Sequence, residues 1–268
     1  MFVHSNGARL HVQRLASQKD GPAPTVVSVH GLGMDTLASF YLSLAAPLAA
    51  AGVHVVTYDL RGHGRSEKTP TKYRLSDSAD DLIGLLDALG ITEPVHLVGN
   101  SYGGCVSFNV AVAAPERVAS ITLLDTLPAV GEEWTEGLEY LFSGAMADNE
   151  AVAAEVRREV LNQSICPDGE RVDHVLRMAQ RTLRETGIPA ELPLSAALRE
   201  DQVRSVTCPV LGIFGSRSWM VPLEPKLREL VPHARTEIIE GLGHFVLAEA
   251  TDQVYRHLVD WVLQPSRS

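Results

Sequence analysis

The sequence predicts an α/β fold, an eight-stranded mostly parallel sheet with a helical cap inserted after the sixth strand. Three observations predict it. Short apolar runs alternate with helical stretches, a rhythm that covers a parallel sheet on both faces. The chain opens with a hairpin pattern that precedes this alternation. The rhythm then stops for one long helical segment, residues 126–204, and resumes. The sheet core is therefore assigned to residues 1–125 and 205–268, and residues 126–204 read as a lid on it rather than as an independent domain.

Each element follows from its residues. "FVH" and "ARLHVQRL" flank Asn6-Gly7, a dipeptide suited to the positive φ angles of a tight hairpin. "TVVSVH" is an apolar, β-branched third strand, followed by a helical stretch to Ala51. "HVVTYD", a helix near Ser76 to Leu89, "VHLVG", a helix from about Gly103 to Ala113 and "ASITLLD" continue the series. After the insertion come "PVLGIF", a helix near Leu223 to Leu230, "TEIIE" and a closing helix from about Thr251 to Leu263.

Composition narrows the function. With 268 residues, 45% hydrophobic and 21% charged, the chain can bury a large core. A formal net charge of −10 leaves no basic excess to neutralise phosphates or anionic lipid, which disfavours nucleic acid and membrane surfaces as partners. The N-terminus has no charged-then-apolar signal pattern, and no run approaches the roughly 18 apolar residues of a membrane span, so a cytoplasmic location is expected. Cys105, Cys166 and Cys208 are widely spaced and read as free thiols. No HExxH or CxxC spacing occurs, so neither metal nor cofactor is expected. Arginine far outnumbers lysine and alanine is abundant, a composition that suggests a GC-rich bacterial genome.

The chemistry concentrates at strand ends. "LVGNSYGG" places Ser101 in Gly99-x-Ser101-x-Gly103 between a strand and a helix, the context of a strained turn that exposes a nucleophile. A serine hydroxyl needs a base within hydrogen-bond reach, and His244 in "GLGHFVLAE" is the histidine that follows the last strand. His4, His11, His54 and His96 sit in strand-like runs and read as structural. "VHGLGMD" places Leu32 where its amide can join that of Tyr102 in an oxyanion hole. A dinucleotide site at Gly31-x-Gly33 is disfavoured, because Thr36 stands where the third glycine belongs.

These stretches, with "YDLRGHGRS" after the fourth strand, resemble the α/β-hydrolase fold over essentially the whole chain. The resemblance implies a triad in the order serine, acid, histidine. It also shows a departure. In many members the acid lies after the seventh strand, but "GSRSWMVP" puts Ser218 at that position and holds no carboxylate. Haloalkane dehalogenases and some lipases carry the acid after the sixth strand, where "ITLLD" supplies Asp125. Asp125 is therefore expected as the acid, with Ser218 dispensable. Glu224 is expected to face outward, and Asp59 lies on the wrong side of the elbow.

A serine nucleophile implies acyl chemistry on a small-molecule ester, thioester or lactone. Asn100 before the serine also resembles carbon–carbon hydrolases of ring-cleavage products. Acyl transfer and a non-catalytic ligand-binding protein on the same fold stay open as alternatives. Trp134, Leu138, Leu141 and Phe142, with Met146 close by, form an apolar face in the cap that is expected to line a substrate pocket together with Trp219. Arg177, Arg181 and Arg184 form a basic stripe that could meet an acyl carrier protein.

Overall fold

The computed structural model describes residues 1–132, 134–138 and 169–263, with side chains described throughout these except at 169–176. Asn6 and Gly7 both take positive φ, 44° and 81°, which turns β1 (Phe2–Ser5) back along β2 (Ala8–Leu15) as an antiparallel hairpin. The six further strands are β3 (Thr25–Val29), β4 (His54–Tyr58), β5 (Val95–Asn100), β6 (Val118–Leu124), β7 (Val210–Gly215) and β8 (Arg235–Ile239). All eight form one sheet in the order β1-β2-β4-β3-β5-β6-β7-β8. β2 pairs β4 antiparallel, and every pair from β4 onward is parallel.

The apolar runs of the central strands explain this arrangement, since side chains alternate between faces and both faces must be covered. On one face Val27, Val56, Leu97 and Leu123 join the larger core cluster. On the other, Val26, Val55, Val98 and Leu124 pack with Phe40, Leu44, Leu48, Val254 and Leu258. Helices Leu75–Ala88, Tyr102–Ala113, Glu224–Leu230 and Thr251–Leu263 fall within a residue of their expected ends. The helical stretch ending at Ala51 is less regular than expected, with a π-helical turn at Tyr41–Ala45 between two α-helical pieces.

Between β6 and β7, the described residues include helices Gly169–Arg184, Ile188–Glu191 and Glu200–Arg204. Strand structure among them is confined to one isolated parallel bridge, Val130 to Leu198. Leu183, Ile188, Leu192, Leu198 and Val203 bury into the same cluster as the sheet strands. Glu191 also accepts the Lys72 and Tyr73 amides, at 2.8 and 2.9 Å, which ties this segment to the loop after β4.

Candidate active site

Ser101 follows β5 at φ 51° and ψ −120°, a backbone conformation an L-residue adopts only under constraint. The glycines around it supply that constraint. A Cβ on Gly103 would overlap the Val29 carbonyl, and one on Gly99 would overlap the backbone of Gly103 and Gly104. Strand and helix thus approach too closely for any side chain at either position, and the turn aims Ser101 outward. Helix Tyr102–Ala113 begins at the next residue, so its positive end faces the serine hydroxyl.

His244 follows β8 and bridges the serine to the sixth strand. Its Nδ1–H donates to Asp125 Oδ2 at 2.5 Å, which leaves Nε2 free to accept from the Ser101 hydroxyl at 3.1 Å. Asp125 lies one residue past β6, is fully buried and has φ 50°. Its amide continues the sheet by donating to Ile213 at 2.8 Å, so the carboxylate is fixed by the strand pairing itself. Oδ1 accepts the Gly215 N–H from the end of β7 at 3.0 Å. Oδ2 accepts a second donor, the Ser218 hydroxyl.

The turn after β3 is braced from two sides. Asp35 Oδ2 accepts the Gly31 amide at 2.8 Å and the Asn100 side chain at 3.0 Å, coupling this turn to the residue before the serine. His63 Nε2 accepts the Gly33 amide at 2.8 Å while its Nδ1–H donates to the Arg61 carbonyl at 3.0 Å. Burial, reinforced by neighbouring His30, pushes the His63 pKa down to about 3 and keeps the ring neutral. Among the described residues the Leu32 and Tyr102 amides meet no hydrogen-bond acceptor, which leaves both able to receive an oxyanion.

Other expected residues fall as follows. Trp219 is 41% exposed and stacks on His244, with ring centroids 4.3 Å apart at 31°. Trp134 packs half-buried on the main core cluster beside Cys105, and Leu138 is buried in that cluster, so this face is at least partly core. Leu141, Phe142, Met146 and Cys166 lie outside the described residues. Cys105 and Cys208 are free thiols, and burial raises each to about 11. Arg177, Arg181 and Arg184 are exposed, with Arg181 paired to Glu185 at 2.8 Å.

One expectation is corrected. Glu224 does not face outward: it is buried against Thr236 and paired with Arg228 at 2.8 Å, because its helix packs that side onto β8. Ser218, expected to be dispensable, donates its hydroxyl to the Asp125 carboxylate. Asp35, His63 and Glu249 were missed altogether. Burial raises the Glu249 pKa, and its Oε2 is buried with no hydrogen-bond partner among the described residues. In "GHFVLAE" Glu249 stands five residues past the histidine, a nearness that could have found it. Asp59 is engaged elsewhere, by the Leu37 and Arg65 amides and by His11 at 2.8 to 2.9 Å.

Among the described residues no group of three or more His, Cys, Asp or Glu could hold a metal ion. No helix among them is long and apolar enough to cross a membrane.

A doubly covered sheet with a serine elbow, a histidine loop and a strand-end carboxylate defines a fold class, and comparison with known proteins gives it a family. The model of the α/β-hydrolase fold family matches residues 24–251, and the chain belongs to that family. It is 27% identical to a 2-hydroxy-6-oxononadienedioate/2-hydroxy-6-oxononatrienedioate hydrolase of Dechloromonas aromatica, over 97% of this chain and 94% of that one. It is 29% identical, over 90% of its length, to the dihydrolipoyllysine-residue acetyltransferase component of the acetoin cleaving system of Pseudomonas putida, and spans 63% of that relative. An esterase of Rhodococcus sp. ECU1013 superposes with a TM-score of 0.79 at 22% identity, covering 98% of each chain, a likeness of fold.

Proposed function

We propose that the protein is a serine hydrolase that cleaves a carboxylic ester, thioester or lactone of a small apolar substrate through an acyl-enzyme. The observation that carries this reading is the relay in which His244 lies 3.1 Å from Ser101 Oγ and 2.5 Å from Asp125. Ser101 Oγ attacks the carbonyl carbon while His244 Nε2 takes its proton. Asp125 balances the imidazolium that forms, and the carbonyl electron pair moves to an oxyanion facing the Leu32 and Tyr102 amides. Collapse of this intermediate expels the alcohol or thiol, which leaves with the proton from Nε2. Water, deprotonated by the same nitrogen, then attacks the acyl carbon; the bond to Ser101 Oγ breaks, the proton on Nε2 returns to Oγ, and the acid is released. Leu32, Leu127, Trp134 and Met220, half-buried on one cluster, supply apolar surface for the acyl group. We assign residues 126–204 the role of cap.

Ser101→Ala should abolish hydrolysis of p-nitrophenyl esters and labelling by a fluorophosphonate while leaving the melting temperature unchanged. Retention of more than a few per cent of activity would overturn the nucleophile. A non-catalytic binding protein would not label at all.

Carbon–carbon bond hydrolysis is the second reading. It is favoured by Asn100 before the serine and by the similarity to the Dechloromonas hydrolase. Acyl transfer from a carrier has in its favour the exposed Arg177, Arg181 and Arg184. A panel of esters, thioesters, lactones and a vinylogous diketone, each assayed with and without a thiol acceptor, separates the three.

A further inference from the structure

From Gly215 to Pro222 the loop after β7 contains no carboxylate, yet it touches both partners of the acid–base pair. Ser218 is buried, and its Oγ accepts the Met220 amide at 3.1 Å. A hydroxyl has one proton to give, and with an amide donating into it that proton points to Asp125 Oδ2. The same oxygen receives the His244 Nδ1–H, so the serine and the imidazole share one acceptor atom. The next residue, Trp219, lays its indole 4.3 Å from the imidazole, and the Phe245 ring meets the imidazole edge-on at 5.6 Å.

The rest of the loop is tied to the histidine loop residue by residue. The Ser216 amide donates to the Ile239 carbonyl at 3.0 Å, and its hydroxyl accepts the Gly241 amide at 2.9 Å. The Arg217 amide donates to the Leu242 carbonyl at 2.8 Å, and its guanidinium donates to that of Gly241. A Cβ on Gly215 would overlap the Gly243 carbonyl, so the two loops are also in backbone contact.

We infer that this loop acts as a brace for a relocated acid. Ser218 orients the Asp125 carboxylate and Trp219 holds the His244 ring, both as positioning residues. The inference rests on the reading that Asp125 and His244 work with Ser101. Five consecutive residues, Gly215 to Trp219, that each contact either the acid or the histidine loop exceed what a turn needs for its own closure. The hydroxyl keeps Oδ2 directed at Nδ1, and the indole limits rotation of the ring while offering its face to the imidazolium.

The test is a double-mutant cycle read with p-nitrophenyl butyrate, with the rate of fluorophosphonate labelling covering variants too slow to turn over. Ser218→Ala should lower kcat about tenfold and leave KM within about twofold, because the change acts on the transition state alone. Ser218→Thr, which keeps the hydroxyl, should recover most of the loss. Trp219→Ala should lower kcat several-fold, and Trp219→Phe should restore it. In an Asp125→Asn background Ser218→Ala should cost less than about twofold, since no carboxylate remains to be oriented. The downfield proton resonance of the His244 Nδ1–H should shift in Ser218→Ala and vanish in Asp125→Asn.

An unchanged kcat in Ser218→Ala, or an equal cost in both backgrounds, would overturn the brace. Near-normal activity in Asp125→Asn alone would instead overturn the triad on which the brace rests.

Discussion

His63 accepts the Gly33 amide through an unprotonated Nε2, so this brace on the turn after β3 depends on that ring staying neutral. Its pKa of about 3 in the folded protein lies below the ordinary 6.5, so protonation favours the unfolded chain. Stability on this account is complete above pH 6.5 and is lost as pH falls toward 3. His63→Gln keeps an acceptor for Gly33 and removes the titration. Between pH 6 and 4 its unfolding free energy should therefore fall less steeply than that of the wild type, by up to about 1.4 kcal/mol per pH unit. Urea unfolding at several pH values measures this, and parallel slopes would refute it. Nothing in "YDLRGHGRS" distinguishes His63 from a surface histidine, because its partner sits 30 residues upstream. Ser218 was hidden for a similar reason. The sequence shows that a carboxylate is missing from its loop, and the hydroxyl's target, Asp125, is 93 residues away. That Ser101, His244 and Asp125 would come within reach of one another was legible because each follows a strand, where local context fixes direction.

The strand–turn–helix at Ser101 was legible as an element because close approach leaves a mark in sequence. Glycines stand where a Cβ has no room, and the flanking runs change period from strand to helix. An element's outer face is less legible. Glu224 reads as a solvent-facing helix residue, and its burial depends on Thr236 in β8 and Arg228 one turn along. The π-helical turn at Tyr41–Ala45 has no period of its own to detect. The elbow supports a prediction with an unusual sign. Gly→Ala inside a helix ordinarily gains about 1 kcal/mol. Gly103→Ala should instead cost about 3 kcal/mol or more, because the new methyl meets the Val29 carbonyl and neither strand nor helix can retreat. The denaturant midpoint reports it, and a neutral or stabilising effect would show that the turn is slack.

At the scale of the whole molecule, the sheet order sets two strand ends beside each other near His244. β6 and β7 are parallel neighbours, with Leu124 paired to Ile213, so their C-terminal ends emerge side by side below the histidine loop. Asp125 and Ser218 already meet there through one hydrogen bond. Asp125→Asn should reduce kcat by something approaching 10⁴, because an amide cannot balance the imidazolium and favours the wrong tautomer. Ser218→Asp alone should also lower activity, since two buried carboxylates would compete for one imidazole and hold one of them protonated. Combined, the two changes remove that conflict and return a single carboxylate to the strand-seven position. The double variant should regain about 10- to 100-fold over Asp125→Asn, as restoration of charge without a shaped site allows. Its KM should stay near the wild-type value, because neither residue contacts the acyl group in the proposed mechanism. Steady-state hydrolysis of one p-nitrophenyl ester by the four proteins decides the matter. If the double variant were no faster than Asp125→Asn, adjacency of the two strand ends would be insufficient to exchange the acid between them.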